Sequence, residues 1–260
     1  MLLEIAIRAA REAGRILVER YRRPQQIKVK GLRDIATEAD LEAERVIIDV
    51  LQRNSPEATI VAEESHQRYD RSAGLVWYID PLDGTTNYAR GLPTFSVSIA
   101  AAREGIPVCG VVFHPLLEQL FSAVRGEGAY LNGERLHVSR RRSLAQTIVL
   151  LDWPRDQRIR QESARALLKL VPRVDAVRSG GSAALSFCYV AAGWADIYYQ
   201  YTLKPWDVAA GLLILEEAGG RATGLSGQPY TLHQPDWLAT NGLVHQAVLD
   251  LAPFGGLSTG

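Results

Sequence analysis

The sequence predicts a mixed α/β fold, with an α+β N-terminal half and an α/β C-terminal half. Three observations predict it. Two amphipathic helical stripes open the chain, a run of short β-rich segments punctuated by Gly and Pro follows, and strand-like and helical segments alternate after about residue 143. Leu2, Ile5, Ala6, Ala9, Ala13, Ile16 and Leu17 fall three or four apart and so lie on one face of a helix. Leu41, Val46, Ile47, Val50 and Leu51 form the second stripe, which Thr37 is placed to cap. Strand-like segments follow over 59–62, 75–79, 95–102, 108–113 and 119–124, with hairpins expected between the later ones. Pro81 is expected to end the second of them, since it has no N–H for a sheet ladder.

The C-terminal half reads as a strand over 147–151, a helix over 161–170, a strand over 174–177, a helix over 182–191, a strand over 196–199 and a helix over 206–218. That alternation implies a second sheet covered by helices. Arg140-Arg141-Arg142-Ser143 is the expected boundary, dividing the chain into 1–142 and 143–260. A basic run of this kind is more often a solvated loop than a functional patch.

Composition narrows the function classes. The chain has 260 residues, 47% of them hydrophobic and 22% charged, enough for a substantial core. Twenty-nine basic side chains balance 29 acidic ones, so no general attraction to nucleic acid or to anionic membranes is expected. No apolar block near the N-terminus resembles a signal peptide, and no stretch reaches membrane-spanning length. Cys109 and Cys188 lie in apolar runs where buried free thiols are the usual outcome, which makes a reducing cytoplasm the expected location.

Four carboxylates carry the chemistry. Glu63 follows the apolar Thr59-Ile60-Val61, Asp80 and Asp83 sit in Asp80-Pro81-Leu82-Asp83-Gly84-Thr85-Thr86-Asn87 directly after a β-rich run, and Asp207 opens a helix in Trp206-Asp207-Val208-Ala209-Ala210-Gly211. Mg²⁺ prefers hard oxygen ligands and keeps room for water and phosphate, so these residues read as a Mg²⁺ cage. A Pro-containing turn can aim Asp80 and Asp83 to one side and leave the Leu82 carbonyl as a further ligand. Gly84 lets the chain bend sharply, and Thr85, Thr86 and Asn87 suit a helix start whose free N–H groups attract an anion. Taken alone, Asp-x-x-Asp-Gly is more often a plain turn, and Asp207 a plain helix-start acid. Their common order with Glu63 reverses that balance.

These segments resemble the inositol monophosphatase family of lithium-sensitive, Mg²⁺-dependent phosphatases. Asp80 to Asn87 follows the family's first signature, and Trp206 to Gly211 with Glu217-Ala218-Gly219-Gly220 its second. Gly110-Val111-Val112-Phe113-His114-Pro115 and Gly126-Glu127-Gly128-Ala129-Tyr130-Leu131-Asn132-Gly133 are also similar to family segments. The likeness runs from about Ala6 to the final helix. It implies a layered αβαβα architecture with the active site between the halves, and a homodimer.

The resemblance also implies roles. Glu63, Asp80 and the Leu82 carbonyl would hold the metal that activates water, and Asp80, Asp83 and Asp207 a second metal near the leaving oxygen, with two or three Mg²⁺ in all. Asp40 would match the family's upstream acid, which with Thr85 positions and deprotonates the water, although spacing alone reads Asp40 as an exposed first-turn helix acid. The substrate-facing set implied is Asp83, Gly84, Thr85, Ser182, Ala183, Gln200 and Asp207. No covalent nucleophile is needed, and the His residues at 66, 114, 137, 233 and 245 show no ligand spacing, with His66 expected nearest the site.

Two positions depart from the family pattern. Ala62 stands where Gly commonly precedes the metal-binding Glu, a minor change. Gln200 stands where inositol monophosphatases usually carry Glu, and a neutral amide, which both donates and accepts, makes a second anionic group on the substrate easier to tolerate. The implied activity is hydrolysis of a small phosphorylated metabolite, a polyol or sugar phosphate, with inositol 1-phosphate first. Fructose-1,6-bisphosphatase, histidinol-phosphatase and nucleotide-bisphosphate phosphatase are alternatives on the same scaffold. A regulatory binding protein that kept the fold is the non-enzyme alternative.

Overall fold

Alternation along each strand decides which layer its side chains enter. In the computed structural model, which describes residues 1–23, 26–32, 34–65 and 74–251, this alternation builds five layers in the order α, β, α, β, α. The outermost layer is α1 (Leu2–Arg20) with α2 (Glu38–Asn54), joined by a hairpin of β1 (Ile27–Gly31) and β2 (Asp34–Thr37). Both helices lie on a seven-stranded sheet made of β3 (Thr59–Ala62), β4 (Val76–Asp83), β5 (Ser96–Arg103), β6 (Ile106–His114), β7 (Gln119–Val124), β8 (Gly128–Leu131) and β9 (Glu134–Arg135), arranged in that order. Only β3 and β4 run parallel; the remaining neighbours are antiparallel. A short helix, α3 (Thr85–Ala89), follows β4.

The second sheet contains β10 (Ile148–Leu151), β11 (Ala176–Arg178), β12 (Ile197–Gln200), β13 (Arg221–Thr223) and β14 (Trp237–Thr240) in the order β11-β10-β12-β14-β13. Between the sheets lie α5 (Ala183–Ala191) and α6 (Pro205–Glu217). On the far face lie α4 (Gln157–Leu170) and α7 (His245–Leu251). Trp77 and Ile79 point from β4 toward α1 and α2, while Val76 and Tyr78 point toward α5 and α6. On β12, Tyr198 enters the central layer and Ile197 and Tyr199 the outer one. Because α5 and α6 are covered on both sides, they are apolar nearly all round, as a central helix must be.

The β1–β2 hairpin, β8, β9, β13 and β14 are too short or too polar for periodicity to mark, and the sequence reading passes over them. It also misreads Pro81. The strand does not stop there, because β4 continues to Asp83 through a bulge in which Pro81 and Leu82 stand opposite Val97 alone. A bulge leaves an N–H outside the ladder, and Pro has none to lose.

The sheet meets α6 at very close range. A Cβ on Gly110 of β6 would lie 2.9 Å from the Ala210 Cα and 3.0 Å from its carbonyl oxygen. Gly110→Ala is therefore expected to force these layers apart and cost about 1–3 kcal/mol. A urea melt of the variant with an unshifted midpoint would show that the contact has slack.

Candidate active site

Glu63 and Asp80 emerge at the C-terminal ends of the two parallel strands. Val61 pairs with Tyr78, and the Glu63 N–H donates to the Ile79 carbonyl at 3.2 Å. By alternation Glu63 shares the Val61 face and Asp80 the Tyr78 face, so both turn toward the central helices. Opposite Asp80, the Ser98 hydroxyl donates to the Trp206 carbonyl at 3.2 Å, which ties the sheet to the start of α6 beside Asp207. The bulge then re-aims the chain. The Asp80 Oδ1 accepts from the Leu82 N–H at 3.0 Å, and Asp83 ends up under the N-terminus of α5.

That contact joins the two halves. The Asp83 Oδ2 accepts from the Ser182 hydroxyl at 2.5 Å and the Ala184 N–H at 2.8 Å, and its Oδ1 accepts from the Ala183 N–H at 3.2 Å. Ser182 is also the N-cap of α5. Gly84 has φ +102, and a Cβ there would lie 3.0 Å from both the Gly181 and Thr94 carbonyl oxygens, so only Gly fits. Asn87 fastens the same junction, donating to the carbonyls of Thr94 and Gly180 at 2.8 Å each.

The carboxylates crowd one another. Burial pushes Asp80 well above the usual carboxylate range, and the charges of Glu63, Asp83 and Asp207 push it further. Asp207 is raised by burial and by Glu63, against the Lys204 N–H, which donates to its Oδ2 at 2.7 Å. Asp83 is raised by burial, with its hydrogen bonds to α5 opposing. Among the described residues no three His, Cys, Asp or Glu side chains converge as a ready-made cage. Their oxygens face protein donors instead: Glu63 the Lys30 ammonium, Asp80 its own turn, Asp83 α5 and Asp207 the α6 N-terminus. The set is nonetheless one of hard oxygens, four carboxylates and the Leu82 carbonyl, whose mutual repulsion a divalent cation relieves.

Asp40 is fully buried, contrary to its reading as an exposed first-turn acid. The reason is tertiary: β2 delivers the N-terminus of α2 straight against α3. The Asp40 Oδ2 accepts from the Thr37 N–H at 2.7 Å and the Thr37 hydroxyl at 2.5 Å, while its Oδ1 faces the Thr85 hydroxyl at 3.1 Å. Thr85 Oγ1 also lies 3.0 Å from the Leu82 carbonyl oxygen. One hydroxyl proton thus faces two acceptors. Burial raises the Asp40 carboxyl to about 7, against the hydrogen bonds from Thr37.

Lys30 of β1 was missed. Its ammonium lies 3.0 Å from Glu63 Oε1 and 2.7 Å from Glu64 Oε1, and although burial works to lower its pKa, the two carboxylates leave it raised. Nothing local in Lys28-Val29-Lys30 marks one lysine from the other. Gln200 is nearly buried on the Tyr198 face of β12, and its Oε1 accepts from the Tyr201 N–H at 3.2 Å. His66 lies outside the described residues. His114 and His245 are buried away from these carboxylates, His245 between the hydroxyls of Thr223 and Thr240 at 3.0 Å each.

A model of the inositol monophosphatase family matches residues 1–253. The chain belongs to that family. It is 43% identical to the Nus factor SuhB of Pasteurella multocida over 229 residues, 87% of this chain and 86% of that one. Among solved structures it is similar to the extragenic suppressor protein suhB of Bartonella henselae, with TM-score 0.94, 33% identity and coverage of 98% and 99% of the two chains. It is also similar to the Thermotoga maritima IMPase, with TM-score 0.89, 35% identity and coverage of 96% and 95%. The five-layer fold of this chain is thus that of inositol monophosphatase and SuhB structures. No described helix is long and apolar enough to cross a membrane.

Proposed function

We propose that this chain is a Mg²⁺-dependent phosphomonoesterase acting on a small polyol or sugar phosphate, inositol 1-phosphate first. The observation that carries the reading is the Thr85 hydroxyl, 3.1 Å from Asp40 Oδ1 and 3.0 Å from the Leu82 oxygen, beside the four carboxylates. Glu63, Asp80, Asp83, Asp207 and the Leu82 carbonyl would hold two or three Mg²⁺, which supply a low-pKa water and neutralise charge on the phosphate. With the Leu82 oxygen taken up in this way, the Thr85 proton goes to Asp40. A Thr85 lone pair then accepts from the attacking water and orients it. Asp40, buried and easily protonated, takes up the proton through Thr85. The N–H groups of Gly84 and Thr85 cradle the phosphate, and Ser182, Ala183 and Gln200 face the organic part, with Asp83 and Asp207 between.

The experiment is a panel of phosphate esters hydrolysed with and without Mg²⁺. Turnover is expected to require the cation, to vanish on chelation and to fall on titration with Li⁺, which competes for a metal position. Full turnover after exhaustive chelation would overturn the reading. On the same reading the protein is a cytoplasmic homodimer, with the site between residues 1–142 and 143–260.

The name of the Pasteurella relative favours a second reading, in which this chain serves as a Nus factor. The four carboxylates and Thr85 support hydrolysis on either reading, because a scaffold that binds no metal gains nothing from clustered, mutually repelling charges.

A further inference from the structure

The segment between β10 and α4 belongs to neither signature and reaches the site. Asp152 follows Leu150 on the central face of β10, and its Oδ1 accepts from the Gly181 N–H at 2.6 Å and the Ser179 hydroxyl at 3.2 Å. Its Oδ2 is buried without a hydrogen-bond partner among the described residues. At the other end, Asp156 caps α4 by accepting from the N–H groups of Arg158 at 2.8 Å and Ile159 at 3.0 Å. Arg155 therefore projects from a short stretch anchored on both sides, beside the turn that leads into Ser182 and Ala183.

Its guanidinium crosses to the other half. Arg155 Nη1 lies 2.6 Å from Asp34 Oδ2 on β2, and Asp34 Oδ1 is 3.8 Å from the Lys30 ammonium that holds Glu63 and Glu64. Charges of alternating sign thus run along one edge of the site, from Arg155 to the candidate metal ligand Glu63. The Arg155 charge is also felt at Asp207, where it opposes the rise in that carboxyl's pKa. The Arg155 side chain is 57% exposed against 22% for Asp34, so the guanidinium end of the pair faces water and its hold is weak. A phosphate dianion offers the guanidinium fork two parallel hydrogen bonds and about twice the charge.

We propose that Arg155 is the specificity-determining cation for a second anionic group on the substrate, surrendering Asp34 to bind it, so that the site also accepts bisphosphorylated sugars and polyols beside the monophosphate. The inference rests on the phosphatase reading above. Placement supports it: Arg155 follows Asp152, which holds the turn ahead of Ser182 and Ala183, where the organic part would lie. Gln200, which would face the same part, adds no competing negative charge.

Two substitutions of opposite sign test it, with inositol 1-phosphate and fructose 1,6-bisphosphate as probes and Mg²⁺ present. Arg155→Gln is expected to lower kcat/KM for the bisphosphate at least tenfold, about 1.4 kcal/mol, through KM, with the monophosphate changed by less than about twofold. Asp34→Asn removes the competing carboxylate and is expected to lower KM for the bisphosphate alone. A bridge that merely holds the halves together would make both variants worse on both substrates, and that result, or no change in either, overturns the proposal. Calorimetric binding of the two probes to all three proteins separates this inference from the phosphatase reading. If wild type hydrolyses neither probe, a selective loss of bisphosphate binding in Arg155→Gln still upholds the subsite, and equal binding by wild type and Arg155→Gln sinks it.

Discussion

Asp83→Asn is expected to reduce phosphatase kcat/KM by roughly 10²–10³-fold, about 3–4 kcal/mol, the scale on which a single preorganised electrostatic group acts. The charge lost is one of four that would hold divalent metal, and Asn keeps the volume. The structure adds a second consequence. Both Asp83 oxygens accept hydrogen bonds from the start of α5, from Ser182, Ala183 and Ala184. An amide offers one accepting oxygen, so one backbone N–H of α5 would face an NH₂ group. An unsatisfied buried donor costs about 1–3 kcal/mol. Loss of activity and a lower denaturation midpoint are therefore expected together, and Mg²⁺ titration distinguishes them. If metal affinity is lost, saturating Mg²⁺ restores part of the rate; if only the α5 junction is loosened, it restores nothing. A variant with wild-type kcat/KM would remove Asp83 from the site altogether.

The four carboxylates proposed to hold metal stand out in sequence because they sit in short motifs whose chemistry is local: an acid at a strand end, a turn with two acids, an acid at a helix start. The layering was implied by the family resemblance, whereas the apolar stripe of α1 follows from period alone. What was not legible depends on distant partners. Asp40 looks like any first-turn acid until β2 and Thr85, 45 residues on, close over it. Pro81 looks like a strand end until the absence of β3 beside it and a single extra residue against β5 show that a bulge can absorb it. Arg155 and Asp34 are ordinary loop and hairpin charges in sequence, and they meet only because the two halves fold against each other. A motif records what one segment does, and the edge of this site is made where segments cross.

Asp40→Asn is expected to lower kcat by 10²–10⁴-fold, the range for removing a positioned proton acceptor, while leaving the fold in place. The Asn oxygen can still accept from the Thr37 N–H and hydroxyl, and its NH₂ can donate to Thr85 Oγ1. That donation turns the Thr85 proton away from residue 40 and occupies a lone pair that would otherwise receive water. The variant is disabled in two ways at once, by the lost base and by the turned hydroxyl. Dependence on pH separates catalysis from structure. The Asp40 carboxyl stands at about 7 because burial disfavours its charge, and bound Mg²⁺ would pull it lower. Wild-type activity should therefore rise with pH along an acid limb centred at or below about 7, and the limb should be missing in the variant. Stability runs the other way. With a folded pKa above the unfolded value, the neutral carboxyl's contribution is fully present below about pH 4 and is lost as pH rises toward 7. Asn carries no charge to bury, so the variant's denaturation midpoint should gain on wild type between pH 4 and 7 and run parallel to it above. An acid limb that persists unchanged in Asp40→Asn would assign the proton to another group and leave Asp40 as a helix cap.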